Sequence, residues 1–317
     1  MSDTIPLLLD TDIGSDIDDA VALAYLLRQP RCELLGITTV TGDVAKRAAC
    51  AQVICRAAGR TDVPIHAGAS EVLLMGPGQA EVPQYAAVAA LPHRTDFPAN
   101  TAVQFLRETI RRRPGEITLL SIGPLTNIAL LFALDGEIPR LLKQYVMMGG
   151  AYFGHGNREW NCIADPLAAA MAYKARPPRH RCVGLDVTTQ CTMPAAEVRR
   201  RFATPPLDAV AKMAEVWFAR RDTITFHDPL AAATVFRPDL CTWVQGLVRV
   251  AIDADENKCG NTLFQPGAGP HQVARQVDGQ AFFEEYFGVV GQSEPPATHP
   301  REWPATGGDA AARAACP

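Results

Sequence analysis

The segment that most restricts the fold is the apolar run Ile5-Pro6-Leu7-Leu8-Leu9, which shows no polar alternation. A half-wet strand alternates, whereas an unbroken apolar strand is covered on both faces. The run therefore predicts a buried strand of a sheet with helices on both sides. It leads into Asp10-Thr11-Asp12-Ile13-Gly14-Ser15-Asp16-Ile17-Asp18-Asp19, and an apolar helical segment follows at residues 20–27. Asp10 and Asp12 fall on one side of an extended chain, and Gly14 permits a turn. Five carboxylates thus stand between a strand end and a helix start. Two unit charges ~4 Å apart repel by roughly 4 kcal/mol at an effective dielectric of about 20, so converging carboxylates need a cation. Oxygen donors alone suit a hard ion, Ca²⁺ or Mg²⁺, rather than zinc. One such Asp would ordinarily be a helix cap. Five of them, at the carboxyl edge where open α/β sheets bind ligands, favour a metal or phosphate site.

The rest of the chain repeats strand and helix. Strands are predicted at residues 32–40, 64–68, 116–122, 144–150, 181–187 and 247–252, and helices at 44–58, 101–113, 194–202 and 207–221. Such alternation implies an α/β fold, a mostly parallel open sheet flanked by helices. Residues 1–290 are read as a single domain, and the Pro- and Ala-rich residues 291–317 as a loosely ordered tail. Residues 71–98, rich in Gly, Pro and Ala, read as a long and mobile excursion on the substrate side. His93 and Arg94 within it are as compatible with plain surface as with function. Thr126 or Asn127 can cap the helix that follows Gly123-Pro124-Leu125. His227-Asp228 stands ahead of an Ala-rich helix with Pro229 expected at its first position.

A formal net charge of −4 leaves no nucleic-acid or anionic-membrane footprint. No signal-like leader or spanning apolar run is visible, so a cytoplasmic protein is expected. Nine cysteines, none in a Cys-x-x-Cys pair, argue against zinc and redox roles.

Several blocks together resemble one family. Asp10-Thr11-Asp12-Ile13-Gly14-Ser15-Asp16-Ile17-Asp18-Asp19-Ala20 is similar to the N-terminal signature of the nucleoside hydrolases, the inosine-uridine-preferring superfamily. Gly36-Ile37-Thr38-Thr39-Val40, Gly123-Pro124-Leu125-Thr126-Asn127, Met148-Gly149-Gly150, Glu159-Trp160-Asn161 with Asp165-Pro166, and His227-Asp228-Pro229-Leu230 follow in the family order. The resemblance implies a calcium-dependent hydrolase that cleaves ribonucleosides into free base and ribose. It implies one Ca²⁺ held by Asp12, Asp19, the main-chain carbonyl of Thr126 and Asp228. Asp12 would also be the general base on a water, and Asp18 would bind a ribose hydroxyl. Glu159, Asn161 and Asn157 would hold the sugar, Asp10 would orient the others from behind, and His227 would face the leaving base. Homodimers or homotetramers are the family habit.

The chemistry agrees with that set. Breaking an N-glycosidic bond develops positive charge on the sugar, which anionic and amide oxygens stabilise. An imidazole suits proton donation near neutral pH. Two departures stand out. Ser15-Asp16-Ile17 lengthens the first loop, so the division of roles among Asp12, Asp18 and Asp19 involves a gap choice. Asp43 stands where many members carry Asn, adding a carboxylate near the sugar. Residues that choose the base are expected in 71–98 and 218–226. Two rival readings are weaker. A haloacid dehalogenase-type phosphatase would want Thr or Val where Gly14 stands. A ribosyl-binding protein without turnover would have little need of the full acidic set.

Overall fold

The computed structural model describes residues 4–154, 156 and 158–291. Asn157 and residues 292–317, nearly all of the expected tail, lie outside the described residues.

The strands are β1 (Ile5–Thr11), β2 (Cys32–Thr39), β3 (Ile65–Ala67), β4 (Thr118–Ser121), β5 (Gln144–Met148) and β6 (His180–Val183). They continue with β7 (Thr192–Pro194), β8 (Thr223–Thr225), β9 (Cys241–Val250), β10 (Thr262–Pro266) and β11 (His271–Val277). Nine of them form one sheet in the order β10-β9-β11-β6-β5-β4-β1-β2-β3. From β11 through β6 to β3 every pair is parallel, and β9 runs antiparallel to both β10 and β11. The expectation of a mostly parallel α/β sheet is met. Chain order reverses direction at β1, which pairs with β2 on one side and β4 on the other. A crevice opens outside the carboxyl ends at such a switch point.

Both faces of β1 are buried, as its unbroken apolar run requires. Leu7 and Leu9 join one core with the helices Asp18–Arg28, Val44–Ala57, His227–Phe236 and Gly279–Val290. Leu8 points the other way, into a core built with Ala102–Arg112, Thr126–Leu134 and Pro166–Lys174. Strand periodicity then carries Asp10 to the side of Leu8, and Thr11 to the side of Leu9. This decides the partners of both residues.

Several expected elements differ. The strand foreseen at 181–187 stops at Val183, and Leu185–Thr188 is a short helix. The strand foreseen at 247–252 is the end of the ten-residue β9, whose first half is partly exposed and lacks an apolar run. The helix His227–Phe236 starts two residues before Pro229. Proline is tolerated there because first-turn N–H groups have no intrahelical acceptor. The 71–98 excursion contains a helical turn, Tyr85–Val88, and is tied to the first loop: Gln84 N–H donates to Gly14 O, and Gln84 Nε2 to Ser15 O. No helix among the described residues is long and apolar enough to cross a membrane.

Candidate active site

At the carboxyl end of β1 the chain turns through Gly14, whose φ is +115°. A side chain there would be strained and would meet Val82 Cγ1 at 2.4 Å. The turn delivers Asp18 and Asp19 to the first turn of the helix Asp18–Arg28, both buried. The helix His227–Phe236 packs along it and brings in Asp228. Carboxylate oxygens of Asp18, Asp19 and Asp228 lie within 4.8 Å of one another. One free first-turn amide is used inside the cluster, as Asp228 N–H donates to Asp18 Oδ2 at 3.0 Å. The Thr11 hydroxyl donates to Asp19 Oδ1.

Burial, reinforced by mutual repulsion, pushes Asp18, Asp19 and Asp228 well above the ordinary carboxyl range. Burial raises Asp12 as well, against the opposing field of Arg47. Asp16 is pushed up to about 6, chiefly by burial. Such a cluster binds protons when nothing else neutralises it, and a hard cation competes for the same oxygens.

Asp10 sits behind this group. It is fully buried, its Oδ1 accepting from the Thr38 hydroxyl and, at 2.8 Å, from Asn127 Nδ2. Burial raises it to about 7. Asn127 is not the helix cap its position suggested. It also donates to Thr39 O and accepts from Ala69 N–H, joining β1, β2 and the chain beyond β3, while Leu125 occupies the uncapped N-cap position. Thr126 is buried at the first position of its helix, with its hydroxyl on Asp165 Oδ2 at 2.8 Å.

A cavity of about 540 Å³ opens over the cluster. Asp12, Asp16, Asp18, Asp19, Glu159, Asn161, His227 and Asp228 all line it. Gly123 leaves room for Asp12, since a Cβ there would stand 2.7 Å from Asp12 Oδ1. Glu159 caps the helix Trp160–Ala164: Oε1 accepts from Asn161 N–H, and Oε2 from Gly150 and Cys162 N–H. Asn161 directs its Nδ2 to Ile122 O and Met148 O, which leaves Oδ1 as its cavity-side group. His227 Nδ1 meets the Thr188 hydroxyl at 2.7 Å, and burial lowers the ring to about 4. The imidazole is therefore neutral at pH 7. With Thr188 donating, its proton sits on Nε2.

Asp43 takes a different place from the one expected. Its carboxylate caps Val44–Ala57 through Lys46 N–H and pairs with Lys46 Nζ at 2.8 Å, and it is not part of the cavity wall. His93 and Arg94 also stand apart from the wall, His93 on Leu91 O and Arg94 on Asp96. The wall further includes Ser15, Gln79, Trp217 and Arg221. These residues carry no motif. Only the assignment of base choice to residues 71–98 and to the neighbourhood of 218–226 pointed near Gln79, Trp217 and Arg221.

Comparison with known proteins gives a consistent result. A profile of the family described as inosine-uridine preferring nucleoside hydrolase matches residues 7–284. The chain is 33% identical over 286 residues to uridine nucleosidase 1 of Arabidopsis thaliana, covering 82% of each. It is 33% identical over 256 residues to the non-specific ribonucleoside hydrolase RihC of Escherichia coli, covering 75% of this chain and 81% of that one. A solved structure of a purine-preferring ribonucleoside hydrolase from Gardnerella vaginalis superposes with a TM-score of 0.78 at 26% identity, over 90% of this chain and 98% of the other.

Proposed function

The chain belongs to the inosine-uridine preferring nucleoside hydrolase family and is a hydrolase of ribonucleosides, and from that premise we propose how its own residues divide the work. The observation that carries the proposal is the buried trio of carboxylates at the floor of the cavity.

Asp12, Asp19, Asp228 and the carbonyl of Thr126 would hold one Ca²⁺, since every donor is a hard oxygen and the site is short of positive charge. When bound, the cation supplies the charge that draws ribose hydroxyls and a water to the cavity floor and makes that water more acidic. Asp12 accepts the proton of the attacking water; a positioned general base typically contributes ~10²–10⁴ in rate. Asp18 holds a ribose hydroxyl. Glu159 and Asn161 line the sugar side, with their orientation fixed by main-chain partners. Their oxygens favour the positive charge that grows on the ribose as the base departs. Asn157 is assigned to the same side by family resemblance. Asp10 orients β1 and Asn127 from behind. His227 directs Nε2–H to the leaving base.

The grouping of Asp18, rather than Asp12, with Asp19 and Asp228 favours a second division of roles. In it Asp18 is a ligand and Asp12 only the base. Calcium affinity of Asp12→Asn and Asp18→Asn separates the two, because the ligand's variant loses affinity and the other retains it.

The deciding experiment is release of free base and ribose from inosine, uridine, cytidine, adenosine and guanosine, before and after chelation and with Ca²⁺, Mg²⁺ or Zn²⁺ restored. Release that Ca²⁺ alone restores supports the assignment. Release unaffected by exhaustive chelation refutes the metal. A homodimer or homotetramer is proposed from the family, to be checked by sedimentation velocity.

A further inference from the structure

Arg47 lies in the helix Val44–Ala57 and is the largest fully buried side chain among the described residues. A buried guanidinium ordinarily pairs with a carboxylate. This one has none among its hydrogen-bond partners in the described residues. Nη1 donates to Asp12 O, to Ile13 O at 3.2 Å and to Ser15 Oγ at 2.9 Å. Nη2 donates to Gln79 O at 2.7 Å and reaches Glu81 O at 3.5 Å. Nε donates to Thr41 O at 2.7 Å. Thr41 itself has a φ of +65°, in the left-handed region that non-glycine residues seldom adopt.

Three chain segments therefore converge on one planar group: the acidic loop, the turn after β2, and the excursion that carries Gln79 to the cavity wall. The lengthened part of the acidic loop is fixed at the same point, since Ser15 accepts from Arg47 and donates to Glu81 O at 2.9 Å. Arg47 itself does not line the cavity. Its bonds fall on the carbonyl of Asp12, one peptide from the carboxylate that has to face the water.

We propose that Arg47 is a positioning residue for the hydrolysis, fixing the peptide that aims the Asp12 carboxylate and locking the acidic loop to the segment that carries Gln79 to the cavity wall. The inference rests on the reading of Asp12 as the base. A rigid fork with five donors can hold three segments at once, whereas a Lys offers a point charge without that geometry. Misplacing a reacting group by about 1 Å can cost about 100-fold. Because Arg47 does not touch substrate, its loss falls on kcat rather than KM.

The test uses Arg47→Ala and Arg47→Lys beside the wild type, each checked for folding by circular dichroism and melting. Arg47→Ala should lose about 100-fold in kcat with KM within about threefold. Millimolar guanidinium chloride should restore at least tenfold while leaving the wild type unchanged, a response that a purely structural role would not give. Arg47→Lys should also fold and stay depressed in kcat by more than tenfold, and it carries the test if Arg47→Ala does not fold. Folded variants with kcat within threefold of wild type overturn the proposal, as does failure of both to fold. Turnover by the wild type with unimpaired Arg47 variants removes only the role of Arg47. Absence of base release from the wild type removes the underlying reading and this inference with it.

Discussion

Stripping divalent metal with a chelator and melting the protein between pH 6.5 and 8.5 probes the acidic cluster directly. Oxygens of Asp18, Asp19 and Asp228 lie within 4.8 Å of one another. At an effective dielectric of about 20 each ionised pair costs about 3.5 kcal/mol, hence ~10 kcal/mol for three pairs, as large as a whole domain's stability. All three carboxyls, with Asp10 at about 7, titrate above their unfolded values. Their stabilising contribution is complete below about pH 4 and is lost as pH rises through the folded values. His227 works in the opposite sense, because its folded value of about 4 is depressed. Its contribution is lost as pH falls from about 6.5, so the chosen window excludes it. Between pH 6.5 and 8.5 Asp10 alone gives up ~1 kcal/mol, and each carboxyl of the trio that stays protonated in the folded state adds to the loss, by at most ~1.4 kcal/mol per pH unit. The metal-free protein should therefore melt at least about 2 °C lower at pH 8.5. Calcium at 100 times its dissociation constant adds about 2.7 kcal/mol. Its increment should grow with pH, because ligation needs the carboxylates ionised. A metal-free Tm that is flat or rising across this window, or a calcium increment equal at both ends, would refute the reasoning.

Three further outcomes are expected. Asp12→Asn should lower kcat by ~10²–10⁴ in a base-release assay, and near-normal turnover would remove Asp12 from the chemistry. Gly123→Ala should impair turnover about as strongly as a displaced base, ~100-fold, because the new methyl would stand 2.7 Å from Asp12 Oδ1; a crystal structure with Asp12 undisturbed would contradict it. His227→Ala should slow purine nucleosides most, since a hydrogen bond from Nε2–H assists their departure, and an equal loss on all bases in a kcat comparison would assign the ring a role other than aiding departure.

The fold was legible where burial is complete. The apolar run of β1 announced a strand covered on both sides, and the acidic residues after it marked the sheet edge that holds the cavity. What escaped was decided by partners far along the chain. Glu159, Asn161, His227 and Asp228 stood out only as members of ordered motifs, and periodicity alone would have left them as caps and loop polars. Asn127 looked like a cap but bridges two strands, because Asp10 and Thr39 face it only once β1 and β2 are paired. Arg47 looked like one basic residue in an ordinary helix, and its partners in the acidic loop lie about 35 residues upstream. Asp43, the extra acid flagged for the sugar, lies at a helix start where capping takes its carboxylate. The late antiparallel strands were missed or truncated for the reason that their exposed faces break the apolar pattern.

The ends of the main sheet also bear on how copies of this chain can meet. One outer strand, β3, is three residues long, and the other, β10, is five and finishes at Pro266, which has no N–H to offer. Neither rim provides a long row of open donors and acceptors, so joining two sheets into a continuous one would gain few ladder bonds. Contacts between copies through side chains on helices and loops would instead leave the packing of the central strands in each copy unaltered.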